Sequence, residues 1–136
     1  MNDCATMVRL LGSIRVHLAT HRLSAEIATV AVGSDLLDGE HVTAHLRHVE
    51  LSALASALLG WADTLTQVTV TAWRPRAGET VHLTLTGRLS DTTPVQVYGG
   101  VDYTDAEFGD LQPDGRQGVA LSVLRAWAAD DSGVAA

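Results

Sequence analysis

Six histidines supply the first chemistry to test: His17, His21, His41, His45, His48 and His82. Neutral imidazole is the commonest metal ligand, and a metal site needs three or four ligands in fixed geometry. His41, His45 and His48 fall in one short stretch, HVTAHLRH. On a strand, His41 and His45 share a face while His48 turns to the other, so the three do not converge without a bulge. His17 and His21 have the i, i+4 spacing of zinc-binding helices but lack the glutamate of HExxH. A composite of His41, His45 and His82 with a nearby acid is the metal set that neighbouring strands could assemble. The spacing favours the other reading, surface or hydrogen-bonded histidines, because no local motif supplies a third ligand.

The acidic stretch Asp102–Arg116 raises calcium next, with Asp102, Asp105, Glu107, Asp110 and Asp114. The EF-hand register fails. Counting from Asp102, the glycine position holds Glu107 and the final glutamate position holds Pro113. Nucleophile elbows, Walker loops and dinucleotide fingerprints are absent from the sequence. Tyr98-Gly99-Gly100 is too short for a phosphate loop, and its glycines fit a bulge or a close backbone approach. Cys4 sits near a terminus expected to fray and has no neighbour in sequence that would lower its pKa. No catalytic residue and no cofactor is therefore assigned.

The elements that would carry these residues follow from periodicity. Leu51–Leu65 is the organising helix. Leu51, Leu54, Ala55, Leu58, Trp61, Ala62 and Leu65 share one apolar face, the stripe of a helix packed on a core. The opposite face holds Ser52, Ser56 and Gly60 among other small residues, and its one charge is Asp63. Two readings stand for that face. It is an Ala-rich solvated surface, or a second packing face against another helix or a second copy of the chain. Gly60 costs about 1 kcal/mol in a helix interior, which close approach would justify.

Cys4–Thr20 reads as a helix with Met7, Leu10, Leu11, Ile14 and Leu18 on one side. Ala25–Gly33 and His41–Val49 read as a hairpin around the Asp38-Gly39 turn signal. After the organising helix, Gln67–Arg74, Thr80–Leu89 and Val95–Val101 read as an antiparallel meander. One meander face is aliphatic. The other collects Thr69, Thr71, Trp73, Thr80, His82, Thr84, Thr86, Arg88, Gln96 and Tyr98, as in a sheet with one packed and one wet face. Asp102–Arg116 reads as a loop with one helical turn near Thr104–Gly109. Val119–Ala129 reads as a final helix and Asp130–Ala136 as a fraying tail. The expected fold is one α+β domain over residues 1–136, ordered α-β-β-α-β-β-β-α. Its mixed, mainly antiparallel sheet has five strands with helices on one face, and the Leu51–Leu65 crossover joins hairpin to meander.

Composition bounds the partners. The 136-residue chain carries a net charge of −7, with nine Arg and no Lys. That argues against ordinary nucleic-acid binding, which rests on basic patches. A single cysteine precludes an intrachain disulfide and suits a reducing, cytoplasmic location. The sequence has neither an apolar run of spanning length nor a signal-peptide pattern, so no membrane association is expected.

The run Ala57–Arg74, ALLGWADTLTQVTVTAWR, with VYGGV at Val97–Val101, resembles small uncharacterised proteins of high-GC actinomycetes, their phages and mobile elements. The resemblance implies a bacterial, cytoplasmic protein and transfers no catalytic residue.

Two functions follow as expectations. The first is a non-catalytic binding or regulatory module acting through protein or small-ligand contacts. It would use Trp73, His82, Tyr98 and Arg88 on the wet sheet face, since Trp and Tyr are enriched at hot spots. Self-association, as a homodimer, would use Ser52, Ser56 and Gly60. The alternative is a metal-binding protein or metal-assisted enzyme built on His41, His45 and His82.

Overall fold

The computed structural model describes residues 3–23, 27–35, 39–47 and 50–135. Helix α1 (Asp3–His21) precedes a hairpin of β1 (Ile27–Asp35) and β2 (Gly39–Leu46). Helix α2 (Leu51–Ala62) then leads to β3 (Thr66–Trp73), β4 (Thr80–Arg88) and β5 (Pro94–Asp102). A four-residue helix α3 (Asp105–Phe108), a short strand β6 (Arg116–Gly118) and helix α4 (Leu121–Ala135) complete the order. The class is α+β, as the hydrophobic periodicity implies. His48 and Val49, Ala25 and the Asp38 half of the turn signal lie outside the described residues.

The ends of two helices and the strand count differ from the sequence reading. Helix α1 is one residue longer at each end than Cys4–Thr20, and α4 starts at Leu121 and runs on through Ala135 where the sequence reading ended it at Ala129. The sheet has six strands, not five, because Arg116–Gly118 pairs with Thr71–Trp73 along the outer side of β3. A three-residue strand is too short to leave a period-2 pattern, so the sequence reads only a loop there.

The strand order is β1-β2-β5-β4-β3-β6. All neighbouring pairs are antiparallel except β2 with β5. The meander β3-β4-β5 thus docks on the hairpin through its last strand, not its first. Helix α2 carries the chain from β2 over β5 and β4 to β3.

Alternation along the strands sorts the two faces. Val42, Ala44, Leu46, Val70, Ala72, Val81, Leu83, Leu85, Val95, Val97 and Val101 are buried under the helices. From α2, Leu54, Ala55, Leu58 and Trp61 enter the same core, as its apolar stripe requires. Leu10 and Ile14 of α1 and Leu124 and Trp127 of α4 complete it. One glycine seats α2 and another the link that follows it. A Cβ built on Gly99 of β5 would lie 2.7 Å from Leu54 Cδ1, and one on Gly87 of β4 would lie 3.1 Å from Leu65 Cβ. The close approach read from Tyr98-Gly99-Gly100 therefore belongs to Gly99, and the β4–β5 register runs on without a bulge.

Helix α4 packs against α2. The small row of α2 is not buried by it: Ser56 is exposed, Ser52 and Gly60 are half-buried, and a Cβ on Gly60 would meet nothing within 4 Å. Among the described residues nothing makes the close approach to Gly60 that the second of the two readings called for.

Candidate functional site

The sheet face opposite the helices is built from cross-strand rows that the register fixes. Thr29, His45, Tyr98, Thr84, Thr71 and Gly118 stand side by side across all six strands. A second row runs Ala31, Thr43, Gln96, Thr86 and Thr69. A third runs Gly100, His82, Trp73 and Arg116. Threonine suits such positions because its branched Cβ fits a pleated, half-solvated surface. Thr69 and Thr86 join their hydroxyls at 2.6 Å across one row.

Two ring pairs stand on this face. His45 stacks on Tyr98 with centroids 4.7 Å apart and planes 9° from parallel. Trp73 meets His82 at 5.5 Å and 49°, and the Arg116 guanidinium lies 5.0 Å over the Trp73 ring. All four rings are half-buried. Tyr98 and His82 are diagonal neighbours on β5 and β4, whose Cβ atoms are about 7–8 Å apart in such pairs. The structure thus gathers Trp73, His82 and Tyr98, as their alternation implies, and adds His45 and Arg116. Arg116 is missed in sequence because its strand is three residues long. His45 is missed because only the parallel β2–β5 pairing carries it to Tyr98.

Arg88 is not part of the cluster. It lies six residues along β4 from His82, about 20 Å away at strand rise. Its Nε donates to Gln67 Oε1 at 3.1 Å and its Nη1 to the Thr92 carbonyl at 2.8 Å. Gln67 and Thr92 have positive φ of 54° and 73°, so Arg88 braces a bulge and a turn. At this end of the face His41, Gln67, Thr86, Arg88 and Gln96 border a shallow cavity of about 300 Å³.

The strand histidines do not form a metal set. His41 Nδ1 donates to the Gly39 carbonyl at 3.0 Å. His45 is four residues further along β2, about 13 Å at strand rise, and His82 stands on β4 with β5 between. Among the described residues no three His, Cys, Asp or Glu side chains gather as a metal site. The expectation of a site from His41, His45 and His82 is corrected: sharing a face is not converging, because a flat sheet spreads its rows.

A second cleft, of about 380 Å³, lies between α1 and the β4–β5 turn, bordered by Ser13, His17, His21 and Asp91 among others. Ser13 Oγ donates to Asp91 Oδ2 at 2.5 Å, while Asp91 Oδ1 accepts from the Thr93 amide at 3.0 Å. These hydrogen bonds, Ser13 first, hold the Asp91 carboxyl below its ordinary pKa. His17 is buried, stacked at 5.9 Å on Trp61, with His21 at 4.5 Å. The Thr64 hydroxyl donates to the Trp61 carbonyl at 2.7 Å, so at the 2.9 Å contact with His17 Nε2 it is the acceptor. His17 therefore carries its proton on Nε2. Burial, then the nearby His21, push its pKa down, against a smaller opposing pull from Asp91. His17 is a packed, neutral histidine whose Nε2 is committed within the fold.

The acidic stretch is a built structure. Thr104 caps α3, accepting from the Glu107 amide at 3.4 Å while its hydroxyl bonds the Glu107 carboxylate. Phe108 and Leu111 are buried, with Phe108 at 5.3 Å from Trp127. Arg74 ties the segment down: Nε donates to Gly78 O at 2.9 Å, Nη1 to Leu111 O at 2.7 Å, and its guanidinium stacks 3.5 Å over Tyr103.

Comparison with family models, curated proteins and solved structures finds no match. The functional reading therefore rests on the two surfaces just described. Of these, the open sheet face carries half-buried rings and the exposed Arg116 over Trp73, whereas in the α1 cleft Ser13, His17 and Asp91 spend polar groups on internal hydrogen bonds.

Proposed function

We propose that the chain is a non-catalytic binding module whose open sheet face receives a protein partner. One observation carries this reading: the half-buried rings of Trp73, His82, His45 and Tyr98, with Arg116 over Trp73, stand on the sheet face opposite the one that, among the described residues, the helices pack against. Aromatic and arginine side chains on a rigid support are the residues that most often anchor protein interfaces. They are rigid because each ring leans on a cross-strand neighbour, so little side-chain entropy is lost on binding. The threonines around them supply hydroxyls for a polar rim. A cytoplasmic location belongs to the same reading, supported by one cysteine in 136 residues.

The test is affinity purification with the wild-type chain, a Trp73→Ala/Tyr98→Ala variant and an Arg125→Ala control on the exposed side of α4. The reading expects a protein retained by wild type and control and lost from the double variant, whose circular dichroism stays unchanged. Retention of every partner by the folded double variant overturns it.

A further inference from the structure

We infer that the cavity at the Arg88 end of the open face is a binding site for a compact oxyanion, the phosphate or carboxylate head of a small ligand. The charge of its border comes first. His41, Gln67, Thr86, Arg88 and Gln96 supply its polar groups, and among the described residues no acid lines it. The chain as a whole carries −7, and the clefts beside α1 are bordered by Asp91, one of them by Glu40 as well. A cation in a recess without a carboxylate is a local exception on an acidic protein, and it draws anions there.

The donors come second. Arg88 Nε donates to Gln67 Oε1 and its Nη1 to the Thr92 carbonyl. A guanidinium has five N–H groups and no acceptor. Two are spent, and among the described residues the others, both of those on Nη2 included, have no partner. Gln67 receives Arg88 on its Oε1, which leaves its NH2 as a donor. Gln96 is a second amide without a partner among the described residues, and Thr86 is a hydroxyl shared with Thr69. Guanidinium, amide and hydroxyl donors around one recess are a set that recognises phosphate and carboxylate oxygens.

The backbone supplies the third observation. Gln67 stands at φ 54°, within the irregularity of the β3–β4 register between Thr66 and Thr69. A non-glycine residue in that region persists only when its surroundings hold it, and such residues cluster at ligand clamps. Bulges re-aim side chains and recur beside functional sites. Here the bulge brings the Gln67 amide to Arg88, whose register partner is Thr66. The arginine is thus held at two points before any ligand arrives, which lowers the entropy lost on binding. The cavity of about 300 Å³ equals roughly ten water volumes, room for a head group and a few atoms beyond it. None of the rings of Trp73, His82, His45 and Tyr98 borders it, so the inference does not rest on the protein-binding reading.

Inorganic phosphate and succinate, each titrated at constant ionic strength into the 15N-labelled full chain, test it by NMR. At least one of the two should give saturable shifts at the Gln67, Gly87 and Arg88 amides and the Gln96 side chain, with a midpoint below about 10 mM. Arg88→Gln removes the charge. Gln96→Glu puts a carboxylate in the recess and leaves both bonds of Arg88 intact. Each should weaken binding by at least about tenfold, and Arg125→Ala should not. No saturable shift from either anion, the same shifts from chloride, or Gln96→Glu binding as tightly as wild type overturns the proposal. So does the loss from folded Gln96→Glu of a protein that the wild type retains in affinity purification, since the anion would then belong to that partner.

Discussion

Substituting Gly99 by alanine tests whether α2 is seated by that glycine. Carbon atoms pack at about 3.5–4.0 Å. The new methyl would lie 2.7 Å from Leu54 Cδ1 and 3.3 Å from Cδ2, a shortfall of about 1 Å at the nearer atom. Leu54 is fully buried, and Ala55, Leu58 and Val97 beside it are too, so it has no open space to swing into. Overpacking of this kind costs about 1–3 kcal/mol. Replacing glycine in a strand returns about 0.5–1 kcal/mol of unfolded-state entropy, so the net loss is about 1–2 kcal/mol. The next residue is an internal control. A Cβ on Gly100 meets only the Val81 carbonyl, at 4.0 Å, so Gly100→Ala keeps the entropic gain without the clash. The two variants should differ by about 2 kcal/mol in opposite directions from wild type. Urea unfolding at constant m measures this through the midpoints. Placing Gly99→Ala in a Leu54→Ala background should remove most of its cost, since the clash has one principal partner. A Gly99→Ala protein as stable as Gly100→Ala would refute the reasoning.

Two further outcomes follow from polar contacts. The pKa of His17 is lowered in the fold, so the unfolded chain binds the extra proton near the ordinary value of 6.5; stability is full above that pH and falls as pH drops below it. The Asp91 carboxyl, also lowered, adds stability that is lost only under more acidic conditions, as pH falls below its ordinary 3.8 and through the folded value. His17→Gln, which keeps an N–H for Thr64, should flatten the first decline and leave the second, and urea midpoints that are flat between neutral and mildly acidic pH would contradict this. Arg74→Ala should cost about 2–4 kcal/mol, since it releases two carbonyls and the Tyr103 stack, and Arg74→Lys should recover less than half. Thermal unfolding and proteolytic nicking in 103–115 read the effect, and a loss under about 0.5 kcal/mol would sink the anchoring role.

Local pattern made much of the fold legible. Trp61 could be assigned to the core because it recurs with Leu54 and Leu58 at helical spacing, and Trp73, His82 and Tyr98 to the outer face because strands alternate. Arg88 satisfied the same alternation yet stands far from the cluster. Periodicity fixes which face a residue occupies but not where along the strand it stands relative to other strands. Arg116 and the Arg74 anchor had no local signature: the one lies on a strand of three residues, and the other works by reaching carbonyls distant in sequence. The i, i+4 spacing of His17 and His21 was visible, but the fate of His17 depended on Thr64 and Trp61, which arrive from another helix.

By itself, the sequence determined the α+β class, the aliphatic and polar faces of the meander and the apolar stripe of α2, because each is written in nearest-neighbour periodicity. Only the tertiary structure decided that β5 docks beside β2, that His45 and Arg116 join the rings, and that Gly99 carries Leu54. Those facts depend on register and packing between segments far apart in the chain, where no local period reaches.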